Sequence, residues 1–103
     1  MNKIKVVDND LEKINVDESI KIEYYKKEGL FSINEIRIIV NNSSNLQIDI
    51  NLKKDTKLNF DINVLEDVDF NLNIITKGIN GKIKYNYNLN KNIYLNVFKF
   101  QNI

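Results

Sequence analysis

The chain has no cysteine and no histidine among its 103 residues. Without cysteine it has no disulfide framework, no thiolate nucleophile and no thiolate metal site. Without histidine, Ser19, Ser32, Ser43 and Ser44 lack the usual general base. No Gly-x-Ser-x-Gly elbow, phosphate-binding loop or dinucleotide fingerprint is present either. The sequence therefore predicts a protein that is not an enzyme, with no catalytic residue and no cofactor.

An excess of charge of one sign is also missing. The chain has 15 basic and 14 acidic residues, a formal net charge of +1, whereas nucleic-acid-binding domains usually carry a clear basic excess. The longest apolar runs, such as Ile38–Val40, are far shorter than a membrane span. Asp8, Asp10 and Glu12 interrupt the region where a secretion signal would need its apolar stretch. We expect a cytoplasmic protein with no nucleic-acid or membrane partner.

What the chain does have is a five-residue phrase of alternating apolar and polar residues. It occurs at residues 48–52, 60–64 and 68–72, and a fourth copy at 85–89 has Asn in place of Asp. Alternation with a period of two is typical of a strand with one buried and one solvated face. The apolar positions therefore predict a shared interior: Ile48, Ile50, Leu52, Phe60, Ile62, Val64, Val68, Phe70, Leu72, Tyr85 and Tyr87.

The same pattern extends to most of the chain and predicts one all-β domain over residues 1–103. Strands are expected near residues 3–7, 20–24, 32–40, 46–52, 58–64, 68–76, 82–89 and 93–99. Residues 1–19 are the least defined segment, and Asp10–Val16 could form a short helix capped by Asp10. Residues 20–103 form the strand-repeat core.

Two architectures fit this pattern, an antiparallel β-sandwich and a β-solenoid. Asn80-Gly81 favours the sandwich, because this dipeptide between alternating segments is typical of a tight hairpin. Other tight-turn dipeptides are nearly absent, which favours the solenoid. The repeated outward Asp and Asn also favour it, because such side chains can form hydrogen-bonded ladders across stacked strands.

The outward carboxylates Asp49, Asp61 and Asp69 raise the question of a metal or acid–base site. Either site needs carboxylates that converge in a recess, whereas one carboxylate per strand is usually solvated. Asp8–Glu12 has the opening spacing of a calcium loop, but Lys13 stands where that loop needs glycine. The sequence therefore predicts no metal site.

The C-terminal strand has apolar residues on both faces. Ile93, Leu95 and Val97 form one apolar face, while Tyr94, Phe98 and Phe100 interrupt the other. Such a strand is either covered by residues 3–16 or exposed as a contact surface. We expect a homodimer or a protein partner to bind here, with Tyr94, Phe98 and Phe100 as the interface residues.

Two stretches resemble the SufB/SufD family of iron–sulfur cluster assembly proteins. Residues 36–48 (IRIIVNNSSNLQI) are similar to a strand–polar turn–strand phrase of that family. Residues 68–89, with Lys77–Lys82 at their centre, resemble its strand–glycine turn–strand unit. The resemblance covers Ile20 to Leu89, about two-thirds of the chain and a small part of a full-length family member.

The resemblance implies a β-helix and a role as a scaffold, in a family whose members pair and bind an ATPase subunit. That family handles its cluster with cysteine and histidine, which this chain lacks, so no cluster ligand carries over. We therefore expect a short β-helix of about eight strands that acts as a non-enzymatic scaffold or adaptor, with iron–sulfur assembly proteins as possible partners. The alternative is an antiparallel β-sandwich that binds protein or small ligands outside that pathway.

Overall fold

A computed structural model describes residues 2–8, 10–27, 33–52, 57–65, 67–77, 82–89 and 96–102; at residues 33, 82–89 and 96–98 it describes the backbone alone. The described chain is all-β. Its nine strands are β1 (Asn2–Val7), β2 (Asp10–Ile14), β3 (Ile20–Lys27), β4 (Ile33–Val40), β5 (Ser44–Asn51), β6 (Lys57–Val64), β7 (Phe70–Thr76), β8 (Lys82–Leu89) and β9 (Asn96–Asn102).

The strands form two mixed sheets. The five-stranded sheet has the order β2-β1-β5-β7-β9, and the four-stranded sheet has the order β3-β4-β6-β8. From β4 onward, successive strands belong alternately to the two sheets. Each strand from β6 to β9 pairs in parallel with the strand two places before it. Buried side chains of both sheets meet in one apolar cluster, so each connection carries the chain across a common core.

This pairing overturns two expectations about strand contacts. Only β1–β2 and β3–β4 are antiparallel among the described strand pairs, and the other five pairs are parallel, so the sheets are not those of an antiparallel sandwich. The predicted hairpin around Asn80-Gly81 is also wrong. Those two residues lie outside the described part, but β7 and β8 on either side belong to different sheets. A turn dipeptide indicates where the chain changes direction, whereas the need to bury an apolar face decides which strand becomes the neighbour.

Parallel pairing aligns apolar positions of neighbouring strands in rows. Ile4, Ile48 and Ile74 form one row of the five-stranded sheet, and all three are fully buried. Ile36 and Phe60 lie in a matching row of the four-stranded sheet. The predicted shared interior is confirmed for the residues whose burial is described: Ile48, Ile50, Leu52, Phe60, Ile62, Val64, Val68, Phe70 and Leu72. Tyr85 and Tyr87 pair through their backbones with Phe60 and Ile62, and their side chains lie outside the description.

The N-terminal segment contains a strand in place of the predicted helix. The strand near residues 3–7 is confirmed as β1, but Asp10–Ile14 is β2, which pairs antiparallel with β1. Asp8 has a φ of 56°, a left-handed conformation that Asp tolerates better than most residues, at the point where the chain reverses. Leu11 packs against the core from β2. The backbone ladder and this contact together outweigh the local preference of Asp10 for a helix cap.

We predict that replacing Phe60 with alanine lowers the free energy of unfolding by about 3–5 kcal/mol, because the phenyl ring is fully buried. Phe70→Ala should have an effect of the same size. Asp61→Ser is the matched control on β6: its side chain lies on the other face of the strand and is 42% exposed, so its effect should stay within about 0.5 kcal/mol. Urea unfolding measures all three. Equal losses for Phe60→Ala and Asp61→Ser would contradict the register.

Candidate interaction surface at the C-terminal end

β9 is the edge strand of the five-stranded sheet and contains two of the three predicted interface residues. Its backbone pairs with β7 so that Phe98 aligns with Leu72 and Phe100 with Ile74. Val97 aligns with Asn71, an exposed position. The sequence suggested that Val97 lies on the apolar face of this strand and that Phe98 and Phe100 lie on the polar face. The register shows the reverse: Val97 aligns with the outer face, and Phe98 and Phe100 align with the core rows.

Phe100 is the position at which one of these rows becomes exposed to solvent. Ile4, Ile48 and Ile74 precede it in the row and are 0% exposed, whereas Phe100 is 47% exposed. The reason is its position on the edge strand, because no described strand lies beyond β9 in this sheet. Tyr94 lies outside the described residues, and Phe98 is described only through its backbone. Phe100 is thus the predicted interface residue for which exposure is seen.

The opposite end of the two sheets is closed. β2 lies at that edge, and Leu11 and Val16 pack against the core there. The Lys13 ammonium donates a hydrogen bond to the Ile22 carbonyl oxygen of β3, at 3.0 Å, and so links the edges of the two sheets. The Asp17 backbone N–H donates to Asn2 Oδ1 at 2.8 Å. β2 and Val16 therefore lie at the N-terminal end of the core, and the alternative in which residues 3–16 cover the C-terminal strand is wrong.

The outer faces of the sheets carry side-chain contacts between neighbouring strands. Asn71 Nδ2 on β7 donates to Asn45 Oδ1 on β5 at 2.7 Å, 26 residues apart in sequence. Asn71 belongs to the repeated phrase and Asn45 does not, so this contact is one bond of the kind that the predicted Asn/Asp ladder needs. On the buried face of β7, the Thr76 hydroxyl donates a hydrogen bond to Asn102 Oδ1 on β9 at 2.8 Å. These bonds hold adjacent parallel strands in one register.

The predicted outward carboxylates do not converge. Asp49 lies on the five-stranded sheet and forms an ion pair with Lys3 at 3.0 Å. Asp61 lies on the four-stranded sheet, 4.0 Å from Arg37. The backbone N–H of Asp69 donates to the Ser43 hydroxyl oxygen. Among the residues that the structure describes, no group of three or more acidic side chains is placed to hold a metal ion.

The outer face of the five-stranded sheet has two shallow depressions of about 420 Å³ each. The first is lined by Lys5, Gln47, Asp49, Ile75 and Lys77, among others. Its carboxylate is held by Lys3 and by a hydrogen bond from Gln47 Nε2 at 2.9 Å. Partial burial would by itself raise the pKa of Asp49, but the hydrogen bonds from Gln47 and Lys3 outweigh it and lower the pKa. A carboxylate kept ionised in this way is a poor general acid or base at neutral pH.

The register of β9 follows from a regular spacing between paired strands that the structure reveals. Paired residues in β5, β7 and β9 are 26 positions apart, as in Asn45–Asn71 and Thr76–Asn102. Once the structure has given this spacing, applying it to Leu72 and Ile74 places Phe98 and Phe100 in the core rows. Lys13 was missed for a different reason, because its carbonyl partner lies on a strand in the other sheet and leaves no mark in the local pattern.

We predict that Asp49→Asn makes the stability of the fold less dependent on acidic pH. The folded-state pKa of Asp49 is lowered, so the ionised carboxylate stabilises the fold above the unfolded-state pKa of about 3.9, and this contribution is lost as the pH falls through the folded-state value. Urea unfolding at about pH 6 and pH 3 should show a smaller difference for Asp49→Asn than for the wild type. Because the pair is partly exposed, about 1 M salt should narrow the gap between the two proteins. Identical pH profiles would contradict the assignment.

No helix in the described part of the chain is long and apolar enough to cross a membrane. Comparison of the chain with protein-family models, with curated proteins and with solved structures finds no match.

Proposed function

We propose that this chain is a non-enzymatic interaction module: a short β-helix that binds a protein partner or a second copy through its C-terminal end. The β-helix interpretation is supported by the strand order. From β4 to β9 the chain alternates between two facing sheets, and each new strand is added in parallel beside an earlier one. This is the path of a coil with two strands per turn.

The functional proposal rests on a difference between the N-terminal and the C-terminal end of the fold. The N-terminal end is covered by β2 and bridged by Lys13, whereas at the C-terminal end Phe100 continues a buried row and is about half exposed. A protein that closes one end of its core and leaves an aromatic ring at the other has a surface suited to contact, because interface cores are enriched in aromatic residues.

The described side chains offer less support for a small-molecule site. Ligand pockets are concave and enclose most of their ligand, whereas both depressions on the five-stranded sheet lie on an open outer face. The polar groups of the first depression are already engaged with one another, as in the Asp49–Lys3 pair. A binding module for small ligands is therefore the weaker candidate.

A role in iron–sulfur cluster assembly is the narrower form of the proposal and rests on the resemblance to the SufB/SufD family. The chain lacks cysteine and histidine, the soft and borderline ligands that hold clusters. Within such a pathway it would act as a scaffold or adaptor, and a partner would carry the cluster. A cysteine desulfurase gene beside the gene for this protein would favour that role.

We predict that the purified protein holds no iron–sulfur cluster and no tightly bound transition metal, because it lacks the ligands that such centres need. Anaerobic reconstitution with iron and sulfide, followed by desalting, should leave no visible absorption and no stoichiometric iron on the protein. A stable, stoichiometric cluster on the isolated chain would contradict the prediction.

The contact surface can be tested with two exposed aromatic residues at opposite ends of the fold. Phe100 on β9 is 47% exposed, and Tyr25 on β3 is 48% exposed. We predict that tagged wild-type protein retains a specific protein from native cells, or self-associates in sedimentation. Phe100→Ser should abolish this association, because it removes the apolar ring from the contact. Tyr25→Ser should preserve it.

Circular dichroism on both variants must show folded protein for the comparison to hold. Association that survives Phe100→Ser and is lost with Tyr25→Ser would place the contact at the other end of the sheets. A wild type that binds nothing and stays monomeric would overturn the proposed function.

A further inference from the structure

The part of the chain before β7 and the part from β7 onward differ in charge. Residues 1–69 contain ten of the fifteen basic residues and all fourteen acidic ones, a formal charge of −4. Residues 70–103 contain five lysines and no carboxylate side chain, a formal charge of +5. The edge strands β8 and β9 belong to this basic part, and the exposed Lys99 lies beside Phe100 in β9.

This charge distribution disfavours a contact between the C-terminal ends of two copies. Two copies that met end to end through β8 and β9 would bring two sets of lysines together, and like charges on adjacent strands are destabilising. A head-to-tail contact would place β9 against the N-terminal end of another copy. Such a contact would bring the basic C-terminal part against the negatively charged N-terminal part of another copy, so self-association is kept as a separate outcome of the test below.

We propose that the C-terminal end binds an extended acidic segment of a partner protein, which adds to β9 as a further strand of the five-stranded sheet. This inference rests on the proposed function and specifies the chemistry of the partner. Strand addition uses the backbone groups of an edge strand for affinity and alternate side chains for specificity. β9 supplies both. It is an edge strand of the five-stranded sheet as far as the strands are described, and apolar and charged residues alternate along it at Phe98, Lys99 and Phe100.

The alternation in β9 determines what the partner segment must contain. Phe100 lies in line with the buried row of Ile48 and Ile74, so a strand beside it needs an apolar residue at that level to extend the core. Lys99 aligns with Asn73 on the outer face and is exposed. An acidic residue opposite it gains an attractive cross-strand pair. The segment is therefore an alternation of apolar and acidic residues.

The test uses a fluorescent peptide of about seven residues, the length of a typical strand, in which Val and Glu alternate and both ends are blocked. The peptide should bind the whole protein saturably in fluorescence anisotropy, and more weakly as salt rises. Two matched peptides serve as controls. One replaces each Glu with Lys, and the other replaces the central Val with Pro, which removes a backbone donor. Both should bind at least about tenfold more weakly, a difference that anisotropy resolves readily.

Variants of the protein locate the contact. Lys99→Glu and Phe100→Ser should each weaken binding of the Val–Glu peptide by about tenfold, through reversed charge and the lost apolar contact respectively. Lys21→Glu is the matched control: it makes the same charge change on β3 at the N-terminal end, where the lysine side chain is 63% exposed. Its binding should match the wild type within about twofold. Circular dichroism shows whether each variant folds.

Three results would overturn the inference: no binding of the Val–Glu peptide, equal binding of the Val–Lys peptide, or binding that Lys99→Glu and Phe100→Ser leave unchanged. Self-association of the wild type that Phe100→Ser abolishes would show that the occupant is a second copy. That result would refute the acidic partner and leave the proposed function standing. If Phe100→Ser also fails to alter capture from cells, both proposals are wrong.

Discussion

The structure depends on one constraint, the alignment of apolar side chains in rows that run across parallel strands. Each strand buries every second residue, so its neighbour must present apolar residues at the same levels. The row of Ile4, Ile48 and Ile74 shows the result, with three fully buried isoleucines on successive strands of the five-stranded sheet. A shift of one residue would turn a whole strand inside out. The outer contacts, such as Asn45 with Asn71, reinforce the same alignment from the solvent side.

Much of this arrangement can be predicted from the sequence, because alternation is a local property. The strands around Ile48, Phe60 and Phe70 and their buried faces follow directly from the repeated phrase. Pairing is different, because it depends on residues far apart in the chain. Asn80-Gly81 suggested a hairpin since it indicates a turn, but it contains no information on whether the next strand stays in the same sheet. The segment at Asp10 suggested a helix cap until its pairing with β1 decided otherwise.

The residues of the candidate surface could be named from the sequence, but their positions in the fold could not. Phe98 and Phe100 stand out because they add apolar residues to a strand that already has some, and this signal suggested a contact. Their alignment with Leu72 and Ile74 depends on the register between β7 and β9. The exposure of Phe100 depends on which strand lies at the edge. The closure of the N-terminal end by Lys13 was beyond prediction, because its hydrogen bond to Ile22 joins two sheets.

The addition of each strand beside an earlier one also bears on how the chain acquires its structure. β7 pairs with β5 and β9 with β7, so each strand needs only residues already made before it. A chain emerging from the ribosome can therefore fold in the order in which it is synthesised, each finished edge serving as the template for the strand that follows. The parallel pairs that involve β6 to β9 join residues 24 to 26 positions apart, a step that is slow compared with forming a hairpin. Among the described strands, the edge of β9 has the same kind of backbone pattern that the edges of β5 and β7 offered to the strand added after them.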